Sequence, residues 1–218
     1  MLIIILWIAV AISASIHIYS ELHQNRKRIY IFKPLTMVLI TLTGLVSLPE
    51  VMGLYHWMIL VGLLFCIGGD VALMWPTDKF IIGLISFLIG HLFYIVAFNS
   101  KIIPLTSPIT AGALLLFATV IFGLLNPFLA KMKIPVAIYI AVISIMGQQA
   151  WERYFQLEQF ATMLAATGAL FFMISDTTLA WNRFRRKIPL AQFFVLSTYY
   201  TAQLLIALSL GQTVVLAK

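Results

Sequence analysis

The sequence predicts an all-α membrane protein, a bundle of eight transmembrane helices. Three observations lead there. Of 218 residues, 62% are hydrophobic and only 10% are charged, too few to clothe a water-soluble surface. The apolar runs are long and broken by Pro and Gly, without the period-2 alternation of a membrane β-barrel. The charges collect in the short breaks between runs.

The spans fall at roughly 2–20, 34–49, 56–76, 80–98, 104–124, 133–150, 160–181 and 190–212. Most approach the ~20 residues needed to cross ~30 Å of hydrocarbon; the second is the shortest. The first run has no basic residue before it and Arg26, Lys27 and Arg28 after it, the reverse of a cleaved signal peptide. It reads as an uncleaved helix with its N-terminus outside. The second opens at Lys33-Pro34 and stops at Pro49-Glu50. The third ends at Pro76-Thr77-Asp78, and the fourth runs from there to the Asn99–Pro104 break. Asn126-Pro127 closes the fifth, the Trp151-Glu152-Arg153 cluster closes the sixth, and Arg183 to Pro189 separates the last two.

Eight spans put both termini outside. The inner loops then hold 11 of the 14 Lys and Arg residues, leaving Lys101, Arg153 and Lys218 outside. That asymmetry is the positive-inside signature. It accounts for the net charge of +7 without a nucleic-acid partner, and residues 1–218 read as one integral membrane domain. The small size suits a bacterial inner membrane. Cys66 is the lone cysteine, so no internal disulfide forms.

Asp70 and Asp176 lie inside spans three and seven, each opening the pattern Asp-x-x-Leu-x-Trp. A carboxylate in hydrocarbon is costly and marks a site facing the bundle interior. The two stand 106 residues apart, and each precedes a tyrosine by 24 residues, Tyr94 and Tyr200. The spacing predicts two four-helix halves in parallel orientation, although spans one and two show no clear match to five and six. Both acids fall ~8 Å inside the inner boundary, at 1.5 Å per residue, as a facing pair requires. His91, Tyr94, Tyr199, Tyr200 and Gln203 are the further polar residues of spans four and eight, and Lys33 and Arg183 are cations at the inner boundary. Tyrosines near helix ends often serve only as interface anchors, and lysines there can snorkel. No His-x-x-x-His pair occurs among His17, His23, His56 and His91, so neither metal nor cofactor is expected.

In order and spacing the chain resembles the YhhN family of membrane proteins, which includes lysoplasmalogenases. The likeness rests on Lys33-Pro34, Gly69-Asp70 with Leu73, Gly90-His91-x-x-Tyr94, Ser175-Asp176, Leu179-Ala180, Tyr199-Tyr200 and Ala202-Gln203. The resemblance implies a membrane hydrolase that cleaves the vinyl ether of a lysoplasmalogen to a fatty aldehyde and glycerophosphoethanolamine or glycerophosphocholine. The expected partner is a lysophospholipid within the bilayer, with no obligate protein partner. A vinyl ether is cleaved by protonating the carbon distal to oxygen and adding water to the resulting oxocarbenium ion. Two carboxyl groups suit that chemistry, one as acid and one as base or charge stabiliser. Buried carboxyls that face each other share one proton. Asp70 and Asp176 are the expected pair, in either order. His91, Tyr94, Tyr199, Tyr200 and Gln203 would support them, and Lys33 and Arg183 would bind phosphate.

Other readings predict different behaviour. A proton-coupled lipid or small-molecule transporter also suits midbundle carboxylates in parallel repeats, but it releases no product. An intramembrane aspartyl protease is the other two-Asp class; Ile67-Gly68-Gly69-Asp70 departs from its Gly-x-Gly-Asp at the first glycine.

Overall fold

The computed structural model describes residues 2–77, 79–102 and 107–211. Eight helices are long and apolar enough to cross a membrane, and no strand occurs among the described residues. They are α1 (Leu2–Leu22), α2 (Arg26–Val46), α3 (Leu54–Met74), α4 (Phe80–Phe98), α5 (Pro108–Leu125), α6 (Lys133–Leu157), α7 (Phe160–Ala180) and α8 (Ala191–Leu208). Asp78, Pro104 and Lys218, assigned to breaks or an outer end in the sequence reading, lie outside the described residues.

Two helices differ most from expectation. Helix α2 begins at Arg26, eight residues before Pro34, because Asn25 caps it by accepting from the Arg28 N–H at 3.3 Å. Pro34 therefore sits inside the helix, where it offers no N–H to the Tyr30 carbonyl. The basic Arg26-Lys27-Arg28 run becomes its first turn. Helix α6 continues through the Trp151-Glu152-Arg153 cluster to Leu157 because both charges find partners. Glu152 accepts from the Ser107 N–H at 3.1 Å and the Thr110 hydroxyl at 3.3 Å. Arg153 donates to the Phe98 and Ser100 carbonyls, and its guanidinium lies 4.5 Å from the Tyr55 ring centroid. A paired charge can be buried where a bare one would be too costly.

The most extensive packing joins α3 to α4, α7 to α8 and α1 to α2. Helix α2 also meets α3 and α8, and α6 meets α4 and α7, so six helices enclose the core and α1 and α5 flank it. Only 6% of the apolar window of α5 is buried, against 50% for α8. Exposed Leu115, Leu116 and Ile109 make α5 a lipid-facing helix. The helix bounds repeat the 106-residue offset: it separates Leu2 from Pro108, Leu54 from Phe160, and Met74 from Ala180.

Lipid offers little hydrophobic drive between helices, so close backbone approach does much of the work. Gly62 of α3 faces the Tyr94 ring and the Gly90 carbonyl of α4; Gly168 of α7 faces the Ala202 carbonyl and Ile206 of α8. A Cβ at position 62 would run into the Tyr94 ring. Gly62→Val should therefore lower stability by about 1–3 kcal/mol, the usual cost of overpacking, read as a lower melting temperature in detergent.

Candidate active site

The basic ends of α2 and α7 and the acids of α3 and α7 meet at one end of the bundle. Asp70 is 2% exposed, and Lys33 of α2, only 7% exposed, reaches across to it. The Lys33 Nζ lies 3.5 Å from Asp70 Oδ1, and the Tyr199 hydroxyl of α8 donates to Oδ2 at 2.6 Å. Three helices thus converge on one carboxylate. Asp176 is half-buried, and the Tyr139 hydroxyl of α6 donates to its Oδ2. Among the described residues no cation stands at ion-pair distance from Asp176.

Both carboxylates line a single cavity of about 510 Å³. Its walls carry Arg26, Lys33, Arg183 and Lys187, with Tyr199 beside Asp70. A second, apolar slot of about 50 Å³ runs between α4, α5, α6 and α7 past Phe117, Ile143 and Met173. The two share Leu73, Phe80, Phe87, Asp176 and Leu179, so the polar chamber and the apolar slot adjoin at Asp176. Both leucines of the doubled Asp-x-x-Leu pattern stand at that junction.

After α7 the chain makes a wide turn, in which the Arg186 N–H donates to the Trp181 carbonyl at 3.1 Å. This turn lays the Arg183 guanidinium 3.9 Å from the Phe80 ring centroid, at the chamber wall. A cation over a ring face is favourable and keeps the arginine oriented.

Lys33, Asp70, Asp176, Arg183 and Tyr199, all candidates from the sequence, line this chamber. The remaining four stand back from the chamber. The Tyr94 hydroxyl donates to Gln203 Oε1 at 2.8 Å, next to Cys66 in the α3–α4–α8 core. Tyr200 hydrogen-bonds His17 of α1 at 2.7 Å, and His17 in turn lies 3.5 Å from Glu21. His91 is fully buried, its ring centroid 4.6 Å from that of Phe172 and 5.4 Å from that of Tyr139. Tyr139, like the wall cations Arg26 and Lys187, is a candidate site residue that sequence reasoning missed. A signal for it existed: Tyr139 follows Lys33 by the same 106 residues that separate the acids.

The YhhN family profile matches residues 28–210, from the first turn of α2 to just beyond α8. The chain belongs to the YhhN family. Among its relatives, lysoplasmalogenase TMEM86A of Homo sapiens is 38% identical over 156 residues, covering 69% of this chain and 64% of the relative. Lysoplasmalogenase TMEM86B of Sus scrofa is 35% identical over 167 residues, 71% of this chain and 64% of the relative. The chain therefore spans slightly less than two thirds of the length of these two proteins. A protein named "Uncharacterized membrane protein YhhN" of Escherichia coli O157:H7 is 24% identical over 208 residues, 94% of this chain and 99% of the relative. No solved structure matches this YhhN-family chain. Asp70, Asp176, Tyr139, Tyr199, Lys33 and Arg183 all fall inside the matched region.

Proposed function

We propose that this YhhN-family protein hydrolyses the vinyl ether bond of a lysoplasmalogen, releasing a fatty aldehyde and glycerophosphoethanolamine or glycerophosphocholine. Two carboxyl groups on one chamber carry the reading, because the chamber has cations at its polar end and an apolar slot at the other. An amphiphile with one chain and one phosphate matches that polarity. The chain takes the slot, the phosphate meets Arg183 and its neighbouring cations, and the ether falls between Asp70 and Asp176. Vinyl ether cleavage needs one group to give a proton and one carboxylate to steady the cation or activate water. The activity named for the mammalian relatives supports the same reaction.

The cationic loops at the chamber end support an inward-facing site with the N-terminus outside. The 106-residue offset in helix bounds and acids supports an origin from two parallel four-helix halves. Coverage of almost the whole Escherichia coli relative supports a bacterial inner membrane. The lysophospholipid would approach from the bilayer itself.

The purified chain in detergent tests the activity. A 1-alkenyl lysophosphatidylethanolamine should yield fatty aldehyde, and its 1-acyl analogue should yield no fatty acid. Detergent removes the two compartments that transport requires. Absence of aldehyde there, with lysolipid still moving across reconstituted vesicles, would favour the transporter.

A further inference from the structure

Resting on that reading, we infer that the two acids have fixed and different roles. Asp176 gives the proton to the chain-side carbon, Tyr139 positions it, and Asp70 faces the cation and the water. The argument is the match between the direction of the substrate and the direction of the site. A vinyl ether is polar along its length. The carbon that receives the proton is bonded to the alkyl chain, and the carbon that becomes cationic is bonded to the ether oxygen and so lies toward the headgroup. Asp176 stands where the apolar slot borders the chamber, since it lines both. Asp70 lines only the polar chamber. A chain seated in the slot therefore presents its proton-accepting carbon to Asp176 and its cationic carbon to Asp70.

The partners of each acid agree with this order. Asp70 has the Lys33 ammonium at 3.5 Å and the Tyr199 hydroxyl at 2.6 Å, two donors that suit a standing carboxylate. Asp176 has one neutral donor, the Tyr139 hydroxyl, and no cation at ion-pair distance among the described residues. Tyr139 stands on α6 where Lys33 stands on α2, 106 residues apart. One half places a charge beside its acid and the other places a phenol. Tyr139 lines the slot as well, so it can hold Asp176 without entering the polar chamber.

The step balances as follows. The Asp176 carboxyl proton passes to the chain-side carbon, whose π electrons form the new C–H bond, and an oxygen lone pair completes the oxocarbenium ion. Water adds to the cationic carbon while Asp70 takes its proton. The hemiacetal hydroxyl then returns a proton to Asp176, and Asp70 protonates the glyceryl oxygen as its bond to carbon breaks. The aldehyde and the glycerophosphoethanolamine or glycerophosphocholine leave, one water is consumed, and both acids are reset.

The probe is a lysophosphatidylethanolamine analogue in which a protonated secondary amine replaces the ether oxygen, so that it carries the charge of the oxocarbenium ion. Binding to the full chain in detergent should weaken at least tenfold in Asp70→Asn and change less than threefold in Asp176→Asn. Asp70→Asn leaves Lys33 without its partner; if that variant fails to fold, Lys33→Met with Asp70→Asn takes its place and should show the same loss. Equal losses, a larger loss in Asp176→Asn, or no binding by the unaltered chain would overturn the assignment. Tyr139→Phe should lower kcat at least tenfold with KM and amine binding within twofold. A raised KM with kcat unchanged would remove Tyr139 from this role. Failure of the unaltered protein to release aldehyde is a separate result, and it strikes the vinyl-ether reading itself.

Discussion

Asp176→Asn should cut aldehyde release from a vinyl-ether lysolipid at least about a hundredfold, the range in which a positioned acid contributes. The substitution keeps the shape of the side chain and an oxygen that can accept from Tyr139, but supplies no transferable carboxyl proton. It strands no buried cation, since among the described residues none pairs with Asp176. Folding should be preserved, and the loss should appear in kcat with substrate affinity close to that of the unaltered protein. Single-turnover aldehyde measurements at saturating lysolipid, beside thermal unfolding of the same preparation, would check both halves. Full activity in this variant would end the paired-acid mechanism.

Lys33→Met should have the largest effect on stability. Lys33 and Asp70 are both buried and lie 3.5 Å apart. Removing one partner leaves a charge in a low-dielectric interior, which costs about 3–5 kcal/mol. Replacing both by neutral groups of similar size is far milder, so adding Asp70→Asn to Lys33→Met should recover most of the loss. A double-mutant cycle of unfolding free energies in detergent gives the coupling directly. Lys33 touches the chamber too, so phosphate contact and charge balance at Asp70 draw on the same ammonium. If Lys33→Met leaves stability unchanged, the ion pair is not what secures α2 against α3.

Much of the fold was legible because membrane helices advertise themselves through length and hydropathy. The apolar run of α4 has the expected bounds, 80–98. The largest misses are in α2 and α6, whose ends carry charge, whereas α3 and α8 differ by at most four residues at either end. Arg26 to Arg28 read as loop because charge normally marks a boundary, yet an Asn25 cap lets the helix begin among them. Glu152 and Arg153 read as a terminus because their partners, at Ser107, Thr110, Phe98 and Ser100, lie on other segments. The acids of the site were legible because a carboxylate in hydrocarbon demands an explanation. Tyr139 was not, since a tyrosine in a membrane helix has ordinary packing and anchoring roles. The division into a polar chamber and an apolar slot is a product of all eight helices meeting, and no local pattern encodes it.

The light attachment of α5 has a consequence for traffic through the protein. The slot behind Asp176 has α5 as one wall, through Phe117 and Ile121, and that helix relies chiefly on α6 for support. Its 50 Å³ holds only part of an alkyl chain, so this outer wall should yield when the slot fills. A wall that yields sideways opens to lipid rather than to water. Reactant and aldehyde would then exchange in the plane of the bilayer, and turnover would follow the mole fraction of lysolipid in the membrane rather than its bulk concentration.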